Sequence, residues 1–80
     1  MTRDDVYSKL TEVFQDVFDN DDIVLNENTV LSELQDWDSL EFINIVVAVM
    51  ETFKIKFNIE DLKSIQYVDQ LVDIILNRMN

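Results

Sequence analysis

The apolar positions of this chain fall into segments with different spacings, and the spacings predict the elements. Between residues 4 and 19, Val6, Tyr7, Leu10, Val13, Phe14, Val17 and Phe18 recur at i, i+1, i+4, i+7, i+8, i+11 and i+12. This is one apolar stripe at helical period. Thr2 followed by Asp5 is a capping arrangement for the start of that helix. The period is lost from 20 to 37, where Asn20, Asp21, Asp22, Asn26, Asn28 and Asp36 are turn formers that tolerate positive φ without glycine. Ile23, Leu25, Val30, Leu31 and Leu34 are expected to pin this long loop to the core. A loop of that length in a small domain is often functional.

The segment 39–53 carries two apolar stripes. Phe42, Ile45, Val46, Val49 and Phe53 form one; Leu40, Ile43, Val47 and Met50 form the other. Glu41, Asn44, Ala48 and Glu51 make a narrow polar or small stripe between them. The β-branched run Ile45-Val46-Val47-Ala48-Val49 by itself suits a strand, but the wider pattern is helical. Asp38 stands as N-cap, with Glu41 three positions on as in a capping box. A surface helix needs one apolar face; two mean either a buried central helix or an exposed binding face. Lys54-Ile55-Lys56-Phe57 alternates and is expected to run extended. Ile59 to Leu62 suits one short helical turn with Glu60 and Asp61 at its positive end. Val68, Leu71, Val72, Ile75 and Met79 predict a last helix over 67–79, with Ser64 capping its approach. Phe14, Phe18, Phe53 and Phe57 are core candidates. The expected architecture is all-α. It is a small four-helix bundle over one domain, residues 1–80, with three longer helices, one short helix and a long loop between the first and second.

Composition narrows the chemistry. Gly, Pro, Cys and His are all absent, while 48% of the 80 residues are hydrophobic. That apolar share is too high for intrinsic disorder. Without Cys there are no disulfides, thiolate metal sites or thiol nucleophiles. Without His, the usual general base and the commonest metal ligand are missing. Without Gly, phosphate loops and the EF-hand are excluded, so the cluster Asp19-Asn20-Asp21-Asp22 lacks the EF-hand spacing for calcium. No catalytic or metal-ligating set remains.

The net charge of −11 is unevenly placed. No base occurs between Lys9 and Lys54, a stretch with eleven acids, and the rest of the chain has six acids and six bases. Nucleic acid and anionic membranes would be repelled, whereas a basic protein patch would be steered in. Solubility alone is the plainer reading of the same charge. The N-terminus lacks the apolar region of a signal peptide, and the dense apolar run Ile45–Met50 is far too short to span a bilayer. A cytoplasmic monomer is expected.

Asp38-Ser39-Leu40 sits where the acidic loop meets the helix. Ser39 would be its first residue, with an exposed hydroxyl beside free N–H groups and the positive dipole end, a place that favours an anion. It is not a hydrolase nucleophile, for want of a His base and a glycine elbow. Taken locally, Ser39 reads first as a plain helix-start residue. Trp37 has two readings as well: loop packing against the first helix, or contact with a ligand or partner.

Over nearly its whole length the chain resembles the acyl carrier protein family. Trp37-Asp38-Ser39-Leu40, the helix end Glu51-Thr52-Phe53, and Ile65, Val68, Leu71 and Val72 are similar to family patterns in order and spacing. The resemblance implies that a phosphopantetheinyl transferase attaches 4′-phosphopantetheine from coenzyme A to the Ser39 hydroxyl. The arm ends in a thiol that carries acyl or aminoacyl groups as thioesters. It implies that Asp38 assists the transferase, whose metal it can approach. It also implies that Leu40, Glu41, Ile43, Val47 and Met50 meet partners, which would be a loading enzyme for acyl or aminoacyl groups and a downstream synthase or transferase. The chain would be a carrier and not an enzyme.

Some positions depart from the family. Trp37 stands where a Gly usually lies two before the modified serine. The second helix is less acidic than in fatty acid synthesis, with Phe42, Asn44 and Met50 where polar or acidic residues are frequent. Tyr67 stands where a capping Ser or Thr is usual. A stand-alone carrier of a specialised pathway, with a more apolar and less salt-sensitive partner surface, is therefore expected. The β-branched Val46, Val47 and Val49 would narrow any interior cavity toward short or polar cargo. The alternative is an acidic helical interaction module without a prosthetic group.

Overall fold

The computed structural model describes residues 2–34 and 37–79, apart from the side chain of Ile59. Asp36, one of the expected turn formers, lies outside them. The described residues contain four α-helices and a 3₁₀ turn: α1 Arg3–Phe18, the turn Leu31–Glu33, α2 Ser39–Phe53, α3 Ile59–Leu62 and α4 Val68–Met79.

The expected capping box opens α1. The Asp5 N–H donates to Thr2 Oγ1 at 3.2 Å and the Thr2 N–H donates to Asp5 Oδ2 at 3.1 Å, while Asp4 and Asp5 favour the positive dipole end. Val6, Leu10, Val13 and Phe14 are buried. The helix stops at Asp19, whose φ is 51°. The Asn20 N–H reaches back to Gln15 O at 3.0 Å, which meets an orphan carbonyl as in a Schellman end. α2 ends the same way at Lys54, with φ 57° and an Ile55 N–H to Met50 O bond of 3.2 Å.

Side chains of the loop itself build its turns. Asn20 Oδ1 accepts from the Asp22 N–H at 2.9 Å and Asn26 Oδ1 from the Asn28 N–H at 2.8 Å, two Asx turns. Gln15 of α1 donates to the carbonyls of Asp21 and Ile23. Leu25 and Leu31 are buried, and Ile23 and Leu34 pack on the core from its edge. The 3₁₀ turn at Leu31–Glu33 was not expected from the sequence.

Ile55 and Phe57 are buried while Lys54 and Lys56 are exposed, so the expected alternation holds in burial. Lys54 itself is left-handed, not extended. At the start of the short α3 the Asn58 N–H donates to Asp61 Oδ2 at 3.1 Å, one arm of a capping box. At the start of α4 the role expected of Ser64 falls to Gln70, whose Oε1 accepts from the N–H groups of Gln66 at 2.7 Å and Tyr67 at 3.0 Å. This also accounts for Tyr67. It forms an isolated antiparallel bridge with Val30, flanked by Leu31 N–H to Gln66 O and Val68 N–H to Thr29 O, each 2.9 Å. An extended, bridged residue suits an aromatic side chain, and the cap comes from one turn further on.

One core joins all these elements. α1 packs on α2 and α4. Phe14, Phe53 and Phe57 lie within the core, and Phe18 packs on it from the edge. Arg3 clasps α4 from outside, donating to Asp73 at 2.7 Å and Asp69 at 2.5 Å, and the Tyr7 hydroxyl donates to the same Asp69 carboxylate.

Candidate functional site

Asp38 has extended backbone, and its Oδ1 accepts from the Glu41 N–H at 2.8 Å. This is half of the capping box that the pair suggested: the Glu41 side chain makes no return bond among the described residues. The cap fixes where α2 begins, and so makes Ser39 its first residue. Ser39 is exposed, and its hydroxyl has no hydrogen-bond partner among the described residues. The free N–H groups of the first turn and the positive end of the helix dipole lie beside it.

Of the two readings that the double stripe of α2 left open, the structure shows the exposed face. Ile45, Val46, Val49 and Phe53 are buried. Leu40, Ile43 and Val47 are 64%, 43% and 45% exposed, an apolar ridge that starts beside Ser39. Met50 and Glu41 are half-buried, and Met50 packs on the core edge; the open ridge is therefore shorter than the sequence stripe. Phe42, which shares its stripe with the buried four, is also half-buried.

Ser39 is among the residues that line a groove of about 680 Å³. Its walls are Trp37, Asp38, Phe42 and Ile43 on one side, Val30, Leu31 and Ser32 of the loop on another, and Leu62, Lys63, Ile65 and Gln66 across from them. The bridge between Val30 and Tyr67 ties two of these walls together. Trp37 does pack toward α1, with its ring 6.2 Å from that of Phe18, which in turn lies 6.2 Å from Phe14. It also meets Phe42 edge-on at 5.7 Å, a favoured aromatic geometry. The loop and α3 walls were not singled out from sequence. No local pattern marks them, because they meet Ser39 only through the tertiary fold.

The arrangement offers an exposed primary hydroxyl, an anion-favouring helix start and an adjoining apolar groove, with no histidine or cysteine to do chemistry. The sequence profile described as a phosphopantetheine attachment site matches residues 8–75. The chain belongs to that family. A curated acyl carrier protein from Petrotoga mobilis is 25% identical over 80 residues, covering 100% of this chain and 94% of that protein. The solution structure of a holo acyl carrier protein from Geobacter metallireducens superposes with a TM-score of 0.83 at 34% identity, covering 91% of this chain and 84% of that one. The protein is thus an acyl-carrier-type carrier and not an enzyme, and its prosthetic group is covalently attached 4′-phosphopantetheine. The site fits such a group, since a phosphodiester anion suits the α2 start. As a carrier it engages modifying and synthase enzymes. No described helix is long and apolar enough to cross a membrane.

Proposed function

We propose that Ser39 is the attachment residue and that this chain, acting as one carrier domain, shuttles acyl or aminoacyl intermediates in a specialised biosynthetic pathway. The observation that supports Ser39 is its exposed hydroxyl at the first position of α2, inside the family-matched segment and on the lining of the groove. The bound group supplies a terminal thiol on a long flexible arm. The chain's own residues position it: Asp38 fixes the helix start with Oδ1 and keeps its second oxygen for the transferase's metal. Leu40, Ile43 and Val47 form the partner ridge, with Glu41 and Met50 at its margin.

The specialised assignment is supported by that ridge. α2 has only Glu41 and Glu51 as charged residues, so partner docking is dominated by apolar burial and only weakly affected by salt. The test is an intact mass of the apoprotein after incubation with coenzyme A, magnesium and a broad-specificity phosphopantetheinyl transferase. One phosphopantetheinyl addition is expected, and none in Ser39→Ala. An addition that persists in that variant overturns the assignment.

A further inference from the structure

The bases of this acidic chain are not equivalent. Arg3, Lys63 and Arg78 are each held by a carboxylate. Lys9, Lys54 and Lys56 are exposed and make no ion pair among the described residues. Lys54 and Lys56 stand together at the corner where α2 ends, because Ile55 and Phe57 turn inward. We infer that this corner is a second docking point beyond the ridge, and that it takes carboxylates on the surface of the partner enzyme. The inference rests on the ridge of α2 being the partner face.

Helix-end electrostatics account for one lysine and not the other. Lys54 is the C-cap of α2, where a cation complements the negative end of the dipole. That effect fades within the last turn, and Lys56 lies two residues past the cap.

Charge complementarity names the occupant. The helical spacing of Leu40, Ile43 and Val47, continued by four and then three residues, passes Glu51 and reaches Lys54. The ridge therefore runs from Asp38 and Glu41, beside Ser39, to two cations at its far end. α2 has 15 residues, so its ends lie about 22 Å apart. The screening length at physiological salt is about 8 Å, so a partner meets the lysines as a local positive site although the net charge is −11. Glu51 is exposed nearby, and Glu60 is engaged by Lys63 at 3.1 Å. An apolar ridge alone does not fix the direction in which a partner lies along it, whereas opposite charges at its two ends do. The ridge supplies most of the affinity, and the corner supplies selection. Carboxylates are admitted there and a basic patch is repelled.

The experiment titrates the labelled apoprotein with two helical peptides and follows its amide spectra. Both carry the same apolar face and arginines at one end; the other end carries glutamates in the first peptide and glutamines in the second. The glutamate peptide should bind roughly threefold tighter, against the net charge, and should move Lys54 and Lys56 together with Leu40, Ile43 and Val47. At about 1 M salt, where the screening length is about 3 Å, the two peptides should bind alike. Lys56→Glu should abolish or reverse the preference. Lys9→Glu makes the same change in net charge on α1 and should preserve it. Equal or tighter binding of the glutamine peptide overturns the inference, as does equal loss of the preference in both variants. If neither peptide moves Leu40, Ile43 and Val47, the ridge is not a docking face and the corner assignment falls with it. None of these outcomes touches attachment at Ser39, which the mass measurement tests separately.

Discussion

At the start of α2, one carboxylate holds one N–H, Asp38 to Glu41, and the next residue along is left exposed. At the start of α4 the chain is fastened from several sides. Gln70 takes two N–H groups, the Val30–Tyr67 bridge adds two backbone bonds, and Arg3 and Tyr7 converge on Asp69. Val68, Leu71 and Val72 then enter the core at once. The two ends solve the same problem, orphan N–H groups, with different amounts of structure. The difference shows where the fold spends its contacts: α4 is anchored so that α2 can present a loosely attended end to an enzyme.

The largest break in that comparison comes from the core behind the anchored end. Leu71 is 2% exposed, and Leu71→Ala should cost about 3 kcal/mol. Leu40→Ala on the ridge should change stability by less than about 0.5 kcal/mol. Urea midpoints on the two variants check this, and similar losses would erase the distinction between the two helix faces.

Removing the lone cap is the next test. Asp38→Ala should cost about 1 kcal/mol and slow the modification of Ser39, whereas Asp38→Asn should recover stability but not the modification rate. Recovery of both by Asn would mean that Asp38 acts only as a cap.

The smallest effect belongs to the clasp. The Tyr7 hydroxyl and then the Arg3 guanidinium hold the Asp69 carboxyl below its ordinary range. A folded value below the unfolded one gives stability that is complete above the unfolded carboxylate pKa, about 3.9, and is lost as pH falls through the folded value. Both charges are over one-third exposed, so the contribution is less than about 1 kcal/mol. The stability gap between the unmutated protein and Asp69→Asn should be widest near neutral pH and should close below the unfolded value. A gap constant with pH would show that ionisation of Asp69 contributes nothing.

The four helices were legible because each carries its own period and stop signals. The stripe of Val6, Leu10, Val13 and Phe14 and the position of Asp38 needed no tertiary information. The half-burial of Phe42 and Met50 did, since it depends on what flanks α2. The clasp was equally hidden: Arg3 and Asp69 are 66 residues apart, and nothing in either neighbourhood names the other. The Val30–Tyr67 bridge is a pair of single extended residues with no strand pattern to announce it. Ser64 was assigned the cap by residue type, but Gln70 does the task from inside the helix, where its type gives no such signal. The place of Ser39 at the start of α2 could be read from the chain, and the opposite walls of the groove could not.

α1 and α2 both end on residues that are left-handed yet carry a Cβ, Asp19 and Lys54. For Lys54 this backbone costs roughly 1–2 kcal/mol that glycine would not incur, Asp19 tolerates it better, and this chain contains no glycine. A glycine at either position would ease the folded turn, while its freedom in the unfolded chain would take part of that gain back. The bundle thus holds an unused reserve of stability at two surface corners, both remote in sequence from Ser39. Lys54→Gly should therefore raise the thermal midpoint, with the groove and the ridge left intact.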